Sequence, residues 1–416
     1  MPHPSSPIFG TEGKELEGKT IVHCITSSIS CFLAPQISRL LMRHGAHVIP
    51  VMTPEAAKFI HPMLFEWATT LPPILSIEGK VEHVDLAGLS ADKVDLILIA
   101  PITANSLSKI AVGIMDNPVT LIAGTALGNK IPTIIVPTMH EVMIYNPAVI
   151  ENLKKLEQMG VKIIMPKVEE EKAKIPENEE ILDQCIRSLY KNDLKDKKIL
   201  VNAGATRAFL DGIRFISNPS TGKMGFALAH EAWKRGGEVK VVYGATPKDP
   251  PKVLSNRKKT VKPRAMYDEM VNSVTNEQYD IVILAAAMND FEALEQLDEK
   301  IKSNKEKLEI VLKPFPKLAD KIKELSPQSI LVLFKAEYKK TDEELVKIAQ
   351  DRMKTAQADY IVANEVSTEQ YGFESDKNKV ALINKEGRIS WIEGKKTEIA
   401  QKLLDEILAH SFTLNT

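Results

Sequence analysis

The chain is short of the features that mark specialised protein classes. Only three cysteines, Cys24, Cys31 and Cys185, stand in 416 residues. They cannot build a disulfide framework, and none has zinc-ligand spacing. Such usage suits a reducing cytoplasm. No charge of one sign dominates: 54 Lys and Arg face 55 Asp and Glu, which gives no support to a nucleic-acid binder. Long apolar runs are missing. The stretch 95–101 is among the longest and falls far short of the ~20 residues that span a bilayer, and Met1 to Pro7 hold no apolar signal core. A dinucleotide GxGxxG is absent. So is a P-loop, because Gly222 and Lys223 are followed by Met224 and Ser217 stands where the first glycine belongs. What is present is a hydrophobic content of 44 %, enough for a buried core, on a length that fits two or three domains.

Short runs rich in Val, Ile and Leu at 20–26, 47–52, 94–100, 133–137 and 161–165 read as strands. Amphipathic stretches at 34–44 and 146–159 read as helices between them. Near-continuous apolar strands are what a sheet buried on both faces requires, and strand–helix alternation reads as a doubly wound parallel sheet. Composition then shifts. Residues 167–180 are rich in Glu, Lys and Pro, a helix-like piece covers 180–191, and a charged run follows at 191–198. The boundary is placed near residue 195, giving domains 1–195 and 196–416. Alternation restarts at 199–203 and continues at 238–243, 280–286, 330–334, 360–363 and 380–383. The fold class is therefore α/β, with two doubly wound domains. Residues 246–263 and 292–307 interrupt the second and read as long functional loops.

In open α/β sheets ligands bind beyond the carboxyl ends of the strands, so the residues after each strand carry the information. Thr26-Ser-Ser-Ile-Ser30 and Pro101-Ile-Thr-Ala-Asn-Ser106 are small hydroxyl-bearing loops leading into helices. They suit a phosphate or flavin, and they equally suit plain helix caps. In Pro137-Thr-Met-His-Glu-Val-Met143, Met139 and Met143 flank His140 and can pack on a flat ring, or serve as ordinary core and edge residues. His83, just before a helix-like segment, is a base or an incidental polar residue. The segment Arg214 to Gly225 sets Arg, Asn, Ser, Thr and Lys around two glycines ahead of a helix, as close backbone approach to an anion needs, or it is a Gly/Ser-rich helix start with no ligand. Asp290 follows another strand; it meets Mg²⁺ on a nucleoside triphosphate or caps the next helix. The run 299–302 neutralises phosphates or is a solvated face.

Taken together and in order, these segments resemble one family over roughly residues 15–410. It is the bifunctional coenzyme A biosynthesis family, phosphopantothenoylcysteine decarboxylase fused to phosphopantothenate–cysteine ligase. The resemblance rests on Thr26 to Ile29, Glu82 to Leu86, Ala100 to Ser106 and Pro137 to Met143 in the first half. In the second it rests on Ala203 to Arg207, Arg214 to Asn218, Ser220 to Gly225, Lys300 to Lys302, Ala363-Asn364 and Gly372-Phe373. Phe334 to Glu337 and His140 look like the archaeal branch.

The resemblance implies a flavodoxin-like flavoprotein domain carrying FMN, followed by a Rossmann-like ligase domain. The ligase would activate 4′-phosphopantothenate with CTP and Mg²⁺ as an acyl-cytidylate, and L-cysteine would displace CMP. The flavin domain would then decarboxylate the product to 4′-phosphopantetheine. Catalytic roles fall by resemblance on His83, Asn218 and Lys300, and FMN contacts on Ser28, Thr103, Ser106, Met139 and Met143. Substrate contacts fall on His140, Arg214, Asp290, Lys302, Pro316, Lys317, Phe334 and Arg352, with Asp290 also the metal residue. The partners implied are small molecules, with neither nucleic acid nor membrane, in a cytoplasmic homo-oligomer of trimeric flavin domains and dimeric ligase domains, as large as a dodecamer.

Two departures stand out. His140 replaces the Asn that holds the substrate carboxylate in the bacterial pattern. The usual Ala-Cys-Gly flap is missing, and residues 170–176 read Glu-Glu-Lys-Ala-Lys-Ile-Pro. The proton donor is then another residue or water. The alternative is an active ligase whose impaired decarboxylase half acts as an oligomerisation scaffold. A third reading, a non-enzymatic nucleotide or flavin sensor, uses only the loops.

Overall fold

The structure is a computed structural model that describes residues 3, 5–79, 81–89, 93–169, 172–297, 299–301, 307–368 and 370–411. The chain divides into two compact units, 1–191 and 192–416.

The first unit is built on β1 (Thr20–Ile25), β2 (His47–Met52), β3 (Leu96–Ile102), β4 (Thr133–Pro137) and the short β5 (Lys162–Ile163), in the order β2-β1-β3-β4-β5. All neighbours in it are parallel. Alternate residues feed two cores, as the strand period of two dictates. Val22, Cys24, Ile97 and Ile99 enter one. Ile21, Leu96, Leu98 and Ala100 enter the other, with Ile37 and Leu41 from the helix Ala34–Arg43. This is the expected flavodoxin-like α/β arrangement. The sequence where the flap belongs forms a hairpin, β6 (Lys167–Glu169) against β7 (Lys172–Lys174); residues 170 and 171 lie outside the described residues.

The second unit carries β8 (Lys198–Ala203), β9 (Arg207–Phe209), β10 (Phe215–Ser217), β11 (Glu238–Tyr243), β12 (Arg257–Lys259), β13 (Ile281–Leu284), β14 (Phe291–Ala293), β15 (Leu312–Pro314), β16 (Ile330–Glu337), β17 (Tyr360–Glu365), β18 (Lys377–Asn384) and β19 (Ile389–Lys395). The main sheet runs β12-β11-β8-β13-β16-β17-β18-β19. It is parallel through β17, and β18 and β19 are antiparallel. Odd and even residues of β8 again enter separate cores. The stretch 246–263, read as a loop, contains the edge strand β12. The excursion from 292 is rooted in a two-stranded arm, β14 against β15. Short exposed strands of this kind have no long apolar run to announce them. No described helix is long and apolar enough to cross a membrane.

His23 on β1 is wholly buried, with Nδ1 2.8 Å from Ser38 Oγ and Nε2 2.8 Å from the Ala100 carbonyl. Burial pushes its pKa down from 6.5 to about 4, against the opposing pull of the Ala100 carbonyl. The unfolded chain therefore binds this proton more readily than the folded one. Stability is full above pH 6.5 and falls as pH drops towards 4, by about 3 kcal/mol once both states are protonated. Urea midpoints measured from pH 7 to 4.5 should fall in the wild type. They should fall less steeply in His23→Gln, and identical slopes would contradict this assignment.

Candidate functional site

In the first unit the loops beyond the carboxyl ends of β1, β3 and β4 are tied to one another. Thr26 Oγ1 donates to the Pro101 carbonyl at 3.0 Å and accepts from Thr103 N at 2.9 Å. Thr138 N donates to Ile102 O at 3.0 Å, and Ser28 Oγ reaches Thr138 O at 3.5 Å. The capping reading and the binding reading coexist here. Thr103 caps the helix Ala104–Val112 through Ser106 N, and Thr103 Oγ1 also donates to the buried Ser106 Oγ at 3.4 Å. Ser28, Thr103, Ser106 and Met139 thus gather at one end of the sheet. Met143 lies on the helix Glu141–Ile144 and is half exposed.

Among the described residues, the buried Thr138 Oγ1 and His83 Nδ1 have no hydrogen-bond partner. A buried hydroxyl without a partner is costly. At the point where three strand-end loops meet, a bound polar ligand removes that cost, so these residues fit a flavin. His83 lies within a helix, Glu82–Ala87, rather than ahead of one. Among the described residues no hydrogen bond joins it to the three loops. His140 is exposed and its Nδ1 accepts from Val142 N at 3.4 Å, which leaves Nε2 as the donor of the neutral ring.

In the second unit a cavity of about 240 Å³ opens beyond the carboxyl ends of β13, β16 and β17. Its floor is Ala285 to Ala287, its sides Asn218 and the loop from Ser220 to Gly225, and its far wall Phe334, Asn364 and Phe373. Gly222 has φ +77°, and a Cβ there would lie 2.8 Å from Thr246 Cγ2, so only glycine fits this turn. Behind the floor, Thr206 Oγ1 donates to Asn289 Oδ1 at 2.7 Å and accepts from Asn289 N at 2.9 Å. Asn202 Oδ1 accepts from Ala286 N at 2.9 Å. These buried bonds fix the floor at a set height.

Of the residues singled out by sequence, Asn218, Asp290 and Phe334 line this cavity. Asn218 Nδ2 donates to Ala287 O at 3.4 Å. Asp290 is exposed and pairs with Lys317, next to the exposed Pro316. A strand follows Asp290, not a helix, so the capping alternative does not apply. Arg214, Lys300 and Arg352 are outside the lining. Arg352 pairs with Asp320 at 2.8 Å. Lys300 is exposed, and Lys302 lies outside the described residues. Arg214 Nη1 bonds the carboxylate of Asp211 at 2.7 Å and the Ile301 carbonyl at 2.9 Å. Asp211 also accepts from the backbone of Ile213, Arg214 and Ile301. Those backbone N–H groups, foremost those of Arg214 and Ile301, hold its carboxyl well below the usual range. Arg214 and Asp211 therefore clamp the root of the segment that carries Lys300.

Two of the lining residues that sequence reasoning missed are lysines. Lys223, quoted only within its motif, and Lys396, the first residue of the helix Lys396–Ser411, both line the cavity. Lys223 Nζ donates to Glu374 O at 2.6 Å and to Asp376 at 2.7 Å. Lys396 Nζ donates to Phe373 O at 3.0 Å. Burial first, and then the Lys223 charge, push the Lys396 ammonium down to about 8. The one signal in the chain is a basic residue at a helix start, where the dipole disfavours it.

Comparison with known proteins decides the family. Residues 10–190 match the family model described as Flavoprotein. Residues 194–410 match that of the DNA/pantothenate metabolism flavoprotein C-terminal domain. The "Coenzyme A biosynthesis bifunctional protein CoaBC" of Thermococcus kodakarensis is 41 % identical over 407 residues, 98 % of this chain and 99 % of that one. Its namesake from Methanocaldococcus jannaschii is 35 % identical over 410 residues, 97 % of each chain. The one from Bacillus subtilis is 31 % identical over 414 residues, covering 95 % of this chain and 98 % of its own. The chain belongs to the coenzyme A biosynthesis bifunctional protein family. It is an enzyme with a flavoprotein decarboxylase half and a ligase half. The alternative of a decarboxylase half reduced to a scaffold finds no support, since the relatives match through both halves.

The Asp211 clamp has a measurable consequence. Asp211→Asn weakens the acceptor for three backbone N–H groups, and trypsin should then cut at Lys300 several-fold faster while the rest of the chain keeps its wild-type resistance. Unchanged cleavage at Lys300 would remove the clamp from the account.

Proposed function

We propose that the second unit joins L-cysteine to 4′-phosphopantothenate at the expense of CTP, and that the first unit decarboxylates the product with FMN. The observation that carries this is the cavity at the strand ends, where an uncapped helix start, Asn218, Asp290 and an aromatic face meet.

The ligase chemistry follows from what each group can do. The first N–H groups of the helix Lys223–Lys234 and the Lys223 ammonium bind the triphosphate. Phe334 offers its face to the base. The substrate carboxylate attacks the α-phosphorus, its P–O bond to pyrophosphate breaks, and an acyl-cytidylate forms. Asn218, whose amide oxygen remains available, positions that anhydride. The cysteine amine then attacks the acyl carbon, CMP leaves and the amine loses a proton. Lys300, at the end of the clamped segment, together with Lys302, is assigned to charge developing on the leaving phosphates. Mg²⁺ commonly takes one or two carboxylates plus substrate phosphates; Asp290 is the cavity carboxylate suited to it, with Lys317 and Pro316 beside it, whereas Arg352, paired with Asp320, and Arg214, in the clamp, lie outside the lining and act through the segments they hold.

In the first unit Ser28, Thr103, Ser106 and the unpartnered Thr138 hydroxyl would hold FMN, with Met139 and Met143 against its ring. Bound FMN supplies the electron sink that decarboxylation needs. His83, with a free ring nitrogen, takes up a proton. His140 donates from Nε2 to the substrate carboxylate, and it needs no charge to do so. The same reading carries trimeric flavin domains and dimeric ligase domains. Exposed Ile29, Phe32, Met63 and Trp67 on one unit, and Leu294 and Val311 on the arm of the other, are surfaces such assembly would cover.

The test is a two-step assay with CTP and ATP in parallel. The purified chain should be yellow, release pyrophosphate from CTP only with 4′-phosphopantothenate present, and convert 4′-phosphopantothenoylcysteine to 4′-phosphopantetheine. Asn218→Asp should lower ligation at least a hundredfold and leave decarboxylation unchanged. Absence of flavin after reconstitution, or of CTP-dependent pyrophosphate, would refute the corresponding half.

A further inference from the structure

We propose that Lys396, contributed by the C-terminal helix, is a phosphate-binding residue of the nucleotide cavity and acts with Lys223 on the β- and γ-phosphates. This rests on the assignment of that cavity to a nucleoside triphosphate.

Four observations lead to it. Lys396 is 7 % exposed yet lines the cavity. An ammonium has three donors, and one is spent on the Phe373 carbonyl. A buried charge needs a counter-charge. The carboxylate within its field, Asp376, is already bound by Lys223 at 2.7 Å, so an anion in the cavity is the counter-charge that Lys396 lacks.

Stability does not explain the residue. A cation in the first turn of a helix opposes the macrodipole, and Lys396 opens one of 16 residues. Nor is it needed to hold the 372–376 segment. Thr221 Oγ1 already donates to the same Phe373 carbonyl at 3.1 Å, and Lys223 to Glu374 O. The adjoining helix start completes the site, since Gly222 supplies no side-chain cap to it and its first N–H groups are left for a ligand. No local motif joins the two lysines, because Lys396 lies 173 positions beyond Lys223 in the chain.

The experiment uses the full chain and titrates CTP and CMP calorimetrically into wild type, Lys396→Met and Lys396→Arg. Lys396→Met should weaken CTP binding and raise KM for CTP about tenfold or more. Its CMP affinity, its KM for cysteine and its melting temperature should stay at wild-type values, and Lys396→Arg should recover most of the CTP affinity. A second measurement needs no variant: CTP should slow acetylation of Lys396 by acetic anhydride several-fold in the wild type, and CMP should not. Wild-type CTP affinity in Lys396→Met, equal loss of CTP and CMP, or acetylation indifferent to CTP would overturn the proposal. Failure of the wild type to bind CTP at all would overturn the nucleotide assignment as well, and so is told apart.

Discussion

A sheet covered by helices on both faces has only its ends to offer a ligand, and everything else in this chain follows from that constraint. Parallel strands such as Leu96–Ile102, buried along their whole length, leave no room for polar function along the strand. Hydroxyls, amides and charges are displaced to the loops beyond the carboxyl ends. Both units solve the problem in the same way, with short polar loops that brace one another before any ligand arrives. In the first, Thr26 ties two of them. In the second, the Thr206–Asn289 pair does so. Pre-organisation of this kind means that binding energy is not spent on ordering the site.

The cavity of the second unit adds an electrostatic feature. Two lysines and a helix start converge on it, and the carboxylates nearby are already engaged, Asp376 by Lys223 and Asp290 by Lys317. Such a site is unfavourable by itself and favourable when filled by a polyanion. The depressed ammonium of Lys396 and the placement of a cation against a helix dipole are both symptoms of that imbalance. Elsewhere in the unit buried charge is balanced: Arg235, wholly buried, meets Glu231, Asp193 and Asp405.

Much of the architecture was legible in the chain because it is written in local patterns. The apolar strands at 20–26, 94–100 and 199–203 need no context to be recognised. The small-residue loops after them announce a site, and Asn218, Asp290 and Phe334 do line one. The rest depends on tertiary contact. That Arg214 clamps the Ile301 segment through Asp211 is invisible until two distant stretches meet. The edge strand at 257–259, exposed along its length, carries no apolar alternation. Lys396 enters the cavity from the far end of the chain, and beyond its place at a helix start it is burial, which sequence does not print, that distinguishes it from the lysines around it.

The central claim is that each unit presents its own ligand at its strand ends. Hydrogen–deuterium exchange on the full chain tests it directly, with CTP and FMN added separately. CTP should slow exchange in 217–225, 285–290, 334–336 and 372–378 and leave the first unit unchanged, while FMN should slow it in 26–30, 103–106 and 138–143 and leave the second unchanged. Protection by either ligand in helices remote from the strand ends, or in the opposite unit alone, would contradict the account.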